Sequence, residues 1–163
     1  MGNRASSGRT AVERRSEREL VVTRIFDAPV RLVFDAWTKP DLFRLWWAPK
    51  SHGTPLLSCE MDVRTGGGYR IAFGHDASRS MAFFGKYLDV TPPSRLVWTN
   101  DEGGEGAVTT VTFEEKGGGT LLVLTELYPS REALDESFVG MEDTMPEQFE
   151  QLDDLLVTLG KGV

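Results

Sequence analysis

Residues 141–159 read MEDTMPEQFEQLDDLLVTL, and within them Met141, Met145, Phe149, Leu152, Leu156 and Leu159 step by four, four, three, four and three. That spacing is one apolar stripe along about five turns of helix. Acids fill much of the other face. Pro146 falls inside the stripe; it removes a backbone hydrogen bond, so it either kinks the helix or marks its true start. A helix this amphipathic must bury its stripe against another surface, and the preceding sequence supplies one.

From 54 to 127 apolar alternation is punctuated by glycines: Gly66-Gly67-Gly68, Gly103-Gly104 with Gly106, and Gly117-Gly118-Gly119. Strands are expected at about 54–63, 68–75, 81–90, 95–100, 107–115 and 120–127, with ELVVTRIF at 19–26 as a further one. Short connections imply antiparallel neighbours. Thr91-Pro92-Pro93-Ser94 reads as a turn. After the first strand, Asp27-Ala28-Pro29 predicts a helix start with a capping carboxylate and a first-turn proline. Val30, Val33, Phe34 and Trp37 then form one apolar face. Lys39-Pro40-Asp41 restarts the chain into a short second helix carrying Leu42, Leu45 and Trp46, ending at Ala48-Pro49.

This order predicts an α+β domain over 19–161: a curved antiparallel sheet of six to seven strands around a long C-terminal helix, with two short helices after the first strand. Residues 1–18 are polar, rich in Arg and Ser, and read as a disordered tail. The whole chain, 163 residues, suits one domain. A net charge of −7 argues against nucleic-acid binding, which needs clustered Lys and Arg. The charge is uneven: residues 1–18 carry five Arg against two Glu, and 131–163 carry nine acids against Arg131 and Lys161. The expectation is two solvated segments that do not meet, the alternative an attraction of tail to helix. Cys59, the only cysteine, sits among strand residues and reads as core rather than nucleophile. Without a signal-like segment or a long apolar run, a cytoplasmic protein with no stable membrane insertion is expected.

A helix laid across a curved sheet leaves an apolar gap at its ends, a ready pocket for a small hydrophobic molecule. The expected ligand-binding set is Trp46, Trp47, Arg70, Phe73, Phe83, Tyr87, Trp98, Phe113, Met141, Met145 and Phe149. Phe83 and Phe84, being adjacent, must face opposite ways. Arg64, Arg70 and Glu126 lie in expected strands, where an inward charge is costly unless paired or meeting a polar ligand group; alternation makes solvent-facing the expectation for each. His52 and His75 lack metal-ligand spacing, and the glycine clusters fall between strands rather than at a phosphate-binding helix start. No cofactor, metal or catalytic residue is expected.

Arg24-Ile25-Phe26-Asp27-Ala28-Pro29, Val33-Phe34-Asp35-Ala36-Trp37-Thr38 and Trp46-Trp47-Ala48-Pro49 resemble the opening of START-like, helix-grip domains of the SRPBCC superfamily. Asp62-Val63-Arg64-Thr65-Gly66-Gly67, Pro92-Pro93-Ser94-Arg95-Leu96-Val97-Trp98-Thr99, Gly119-Thr120, and Gly140-Met141 followed by Leu152-Asp153-Asp154-Leu155-Leu156 extend the match across nearly all of 20–160. The subgroup resembled is the AHSA type, named for an activator of a heat-shock chaperone ATPase. The resemblance implies a cavity between sheet and terminal helix and binding of lipids, hormones, polyketides or other apolar molecules. It implies no single reaction. The ordered expectations are a lipid-, aromatic- or polyketide-binding carrier or sensor, then a cyclase-, aromatase- or hydrolase-like enzyme drawing on His52, His75, Arg70, Tyr87 and Glu126, then a chaperone cofactor or interaction module linked to stress response. A homodimer is a further expectation.

Overall fold

A computed structural model of the chain describes residues 10–48, 56–76, 79–101 and 106–161. The elements are β1 (Ala11–Arg14), β2 (Glu19–Phe26), α1 (Val30–Thr38), α2 (Pro40–Phe43), β3 (Leu56–Met61), β4 (Gly68–Asp76), β5 (Arg79–Thr91), β6 (Arg95–Thr99), β7 (Val108–Lys116), β8 (Gly119–Leu127) and α3 (Arg131–Lys161). The strands form one eight-stranded sheet in the order β1-β2-β8-β7-β6-β5-β4-β3, every pair antiparallel. This is the helix-grip architecture expected, with two corrections. The sheet has eight strands, and the two short helices follow the second strand rather than the first.

The extra strand is β1, inside the segment read as a disordered tail. It pairs with β2 through Ala11↔Thr23 to Arg14↔Leu20. An edge strand is held by main-chain hydrogen bonds, so its side chains need no apolar pattern, and none betrays it. Arg14 Nη2 also lies 2.7 Å from Asp135 Oδ1 on α3. Part of the basic N-terminal segment therefore does meet the acidic helix, against the expectation of separate solvated segments.

Alternation decides which side chains face α3. Leu20, Val22 and Phe26 on β2, Leu96 on β6, Val111 and Phe113 on β7, and Leu122 and Leu124 on β8 are all buried. Cross-strand register aligns Val111 with Leu124 and Phe113 with Leu122. The stripe of α3 closes on this face: Met145, Phe149, Leu152 and Leu156 join the same core, with Phe149 edge-on to Phe26. The helix runs on through Pro146 and begins at Arg131, so the proline marks neither end. The chain tolerates the lost bond because tertiary burial of the stripe, rather than propensity, holds a helix of this kind.

At the start of α1, Pro29 is the capping residue and no side chain caps the helix, correcting the expected role of Asp27. Val33, Phe34 and Trp37 are buried as the spacing demands, with Ala36 buried beside them, while Val30 in the first turn is only half-buried. In the segment after it Phe43 and Trp46 turn inward, while Leu45 stays 58% exposed. Trp37 is the hub of the aromatic core, with ring contacts to Phe43, Trp46, Trp47, Trp98, Phe113 and Phe149.

Candidate functional site

The sheet, the helical segment before β3 and α3 wall a half-open cavity of about 600 Å³, within the range of sites that hold drug-sized ligands. Three groups of side chains line it. Trp37, Phe43 and Trp47 come from the helical segment before β3. Met61, Tyr69, Ile71, Phe73, Met81, Phe83, Tyr87, Trp98 and Leu124 come from the sheet. Ala133, Glu136, Thr144, Met145 and Gln148 come from α3. Strand register explains the sheet wall, since Met61 pairs with Tyr69, Ile71 with Phe83, Phe73 with Met81 and Tyr87 with Trp98. Directly paired residues present their side chains on the same face.

Of the expected ligand-binding set, the cavity brings together Trp47, Phe73, Phe83, Tyr87, Trp98 and Met145. Trp46, Phe113 and Phe149 are buried core beneath it instead; the Trp46 indole N–H is used by the Ala36 carbonyl at 3.0 Å. Arg70 is exposed on the opposite face, paired across strands with Phe84 and Glu60. That corrects its inclusion, and the reason is the parity it shares with neither Tyr69 nor Ile71. Arg64 is exposed in the turn after β3, on Asp62 at 3.0 Å. His52 lies outside the described residues, as do the side chains of His75 and Met141.

Glu126 reverses its expectation. It lines the cavity, because it shares the inward parity of Leu122 and Leu124 at the end of β8. Thr109, its cross-strand partner, donates its hydroxyl to Glu126 Oε2 at 2.8 Å. The Tyr128 phenol donates to Oε1. Asn100 Nδ2 donates to the Ala107 carbonyl and to Thr109 Oγ1 at 2.9 and 3.0 Å, and Tyr69 OH donates to the Thr99 carbonyl at 2.7 Å. A polar cluster thus occupies one end of an otherwise apolar chamber, where the C-terminal end of β8 meets the open ends of β6 and β7. The sequence expectation turns Glu126 to solvent, and the parity it shares with Leu122 and Leu124 turns it inward instead; nothing in the sequence announced Asn100, Tyr128 or Gln148.

Tyr87 in the wall and Cys59 on β3, which packs against the core, have shifted proton affinities. Burial, and then the neighbouring Cys59 and Asp62 charges, push the Tyr87 phenol above its ordinary value of 10.0. Burial raises the half-buried Cys59 thiol above 9.0, Arg44 opposing and Asp41 adding. A thiol held protonated is a poor nucleophile, in keeping with a packing role. Among the described residues, no group of three or more His, Cys, Asp or Glu side chains is placed to hold a metal ion, and no helix is long and apolar enough to cross a membrane.

The fold recurs in known structures. A protein from Rhodobacter sphaeroides is 26% identical with a TM-score of 0.84, the match covering 92% of this chain and 99% of that one. CalU16 from Micromonospora echinospora is 27% identical at a TM-score of 0.61, covering 90% and 84%. An AHSA1-like protein from Aeromonas hydrophila shares the fold at 20% identity and a TM-score of 0.71, covering 83% and 92%. No curated protein matches the chain. The family model for "Activator of Hsp90 ATPase homolog 1-like protein" matches residues 27–157, a span from the turn before α1 to the last turns of α3. With sheet order, terminal helix and family match in agreement, the chain belongs to the activator of Hsp90 ATPase homolog 1-like family.

Proposed function

We propose that this protein binds a small, largely apolar molecule in the chamber between sheet and α3, as a carrier or sensor. The observation that carries the reading is the cavity of about 600 Å³ walled by Trp37, Trp47, Phe73, Phe83, Tyr87 and Trp98. A packed interior leaves few voids larger than a water molecule, so a space of this size, lined by aromatic rings with one polar end, is suited to a guest. Burying an apolar ligand there gains roughly 25 cal/mol per Å² removed from water.

The test is native purification, extraction and mass spectrometry for retained small molecules, followed by titration of apolar compounds against tryptophan fluorescence. Trp37, Trp47 and Trp98 line the chamber, so saturable quenching with thermal stabilisation is expected. No retained molecule, no quenching and no stabilisation across the panel would overturn the reading.

An enzymatic reading has one observation in its favour: a carboxylate, Glu126, held by two hydroxyls on the chamber wall. A positioned carboxylate is what general acid–base chemistry requires. Turnover of a bound ester or polyketide-like compound, lost in Glu126→Gln while binding persists, would establish it over the carrier reading.

A further inference from the structure

We propose that the outer face of the sheet, turned away from α3 and the chamber, joins two copies of this chain face to face.

The three helices all close on the inner side, through Phe34 on Phe113, Phe43 at the chamber and Phe149 on Phe26. Among the described residues no helix is left to cover the other face. A sheet packed on one side ordinarily alternates apolar-in with polar-out. Over β3, β4 and β5 the outer side obeys, with Glu60, Arg70 and Lys86. Over β2, β8, β7 and β6 it does not. Cross-strand register sets Val21, Thr125, Thr110 and Val97 in one outward row. Thr23, Val123 and Thr112 form the next. Leu127, Val108 and Thr99 flank these rows on one side, Ile25 and Leu121 on the other. None of these residues is charged. Val21 and Val97 are buried, but Ile25 and Leu127 stay 43% and 45% exposed.

The area suits a second copy. Strands about 4.8 Å apart, with same-face residues about 6.8 Å apart along each, give the uncharged patch roughly 400 Å² of sheet plane. That is the size at which an exposed patch marks a contact site. With its charged rim the face reaches roughly 600 Å² per copy, so a pair buries about 1,200 Å², the low end of specific interfaces. Two such faces are also matched in shape, because sheets pack about 10 Å apart with their strands nearly aligned. The chain's own first nine residues, MGNRASSGR, have no apolar run with which to cover the patch.

The rim charges select the axis. The β1–β2 margin carries Glu13 and Glu19, with Arg15 3.7 Å from Glu19. The β5–β6 margin carries Lys86 and Arg95, with Asp89 3.5 Å from Arg95. Glu114 stands at a corner, opposite Leu121. One margin therefore has a negative charge in excess and the other a positive one. A two-fold axis parallel to the strands lays each margin on the opposite margin of the second copy, where the excesses attract. Both chambers then lie on the far sides of the pair, clear of the interface.

Sedimentation velocity of the full chain from about 1 to 500 μM is expected to show a reversible monomer–dimer equilibrium with a micromolar dissociation constant. Ile25→Lys and Leu127→Lys, at exposed positions, should each weaken it at least about tenfold. Lys86→Glu should weaken it less, and most at low salt. Val157→Lys, at a 56% exposed position on α3, should leave it unchanged. A monomer at every concentration overturns the proposal, and so does a dimer indifferent to the face variants or equally sensitive to Val157→Lys. Should the face variants not fold, contacts between labelled and unlabelled copies at the Leu121 and Val123 methyls, read by isotope-filtered NMR on the unsubstituted protein, decide; a dimer without them overturns this face.

Discussion

Gln148 of α3 donates its side-chain amide to the main-chain carbonyl of Trp47, across 101 residues of sequence. One turn on, Gln151 Nε2 reaches the carbonyls of Trp46 and Ala48, each at 3.0 Å. The residues after α2 have no strand to pair with, so the terminal helix satisfies their backbone. It thereby holds the Trp47 wall of the chamber in place.

Replacing Gln148 by Leu should therefore cost more than its size suggests. The Gln148 side chain is buried, and the Trp47 carbonyl would be left without that donor. A loss of about 1–3 kcal/mol is expected, measured by urea unfolding. Gln151→Leu should lose a similar amount, and both should blue- or red-shift tryptophan emission by altering the setting of Trp47. Unchanged stability in both variants would mean that the helix does not anchor this segment.

A second tie joins β2 to α3. Arg24, 3% exposed, donates to Asp153 Oδ2 at 2.9 Å and to Thr10 Oγ1 at 2.7 Å, with its guanidinium 5.1 Å from the Phe26 ring centroid. Asp153→Ala should destabilise by about 3 kcal/mol, since it strands a buried cation. The double variant Arg24→Met, Asp153→Ala should recover part of that loss. A double variant worse than the sum would contradict this account.

Gly85 is required by close approach rather than by a turn. A Cβ placed there would lie 1.9 Å from the Thr99 carbonyl oxygen on β6. Gly85→Ala must push β5 from β6 beneath Tyr87 and Trp98, and a loss of about 1–3 kcal/mol is expected. Thermal unfolding checks it, and an unchanged midpoint would show that the strands separate freely.

Alkaline pH should weaken the fold through Tyr87 and Cys59. Both groups have folded-state pKa values above their ordinary 10.0 and 9.0. The folded chain keeps protons that the unfolded chain releases, so the stabilisation is whole below pH 9 and declines as pH rises past 9 and then 10. The slope approaches about 1.4 kcal/mol per pH unit for the buried Tyr87, and the half-buried Cys59 adds less because solvent screens it. Tyr87→Phe should flatten the portion above pH 10, and an unaltered slope would assign the effect elsewhere.

The order and type of nearly every element were determined by the sequence. The step pattern from Met141 to Leu159 is a property of one helix, and the alternation of Phe73, Phe83, Tyr87 and Trp98 is a property of single strands. Both periods arise from local backbone geometry. The tertiary structure decided what depends on neighbours. It paired β1, whose bonds are main-chain and leave no trace in composition. It sent Trp46, Phe113 and Phe149 into solid core while Trp47 and Met145 met open space, a distinction of depth that residue type does not encode. It set Thr109 opposite Glu126, and with Tyr128 beside them made a polar end to the chamber. Register across strands is a long-range choice, settled by which faces must be buried together rather than by any one strand.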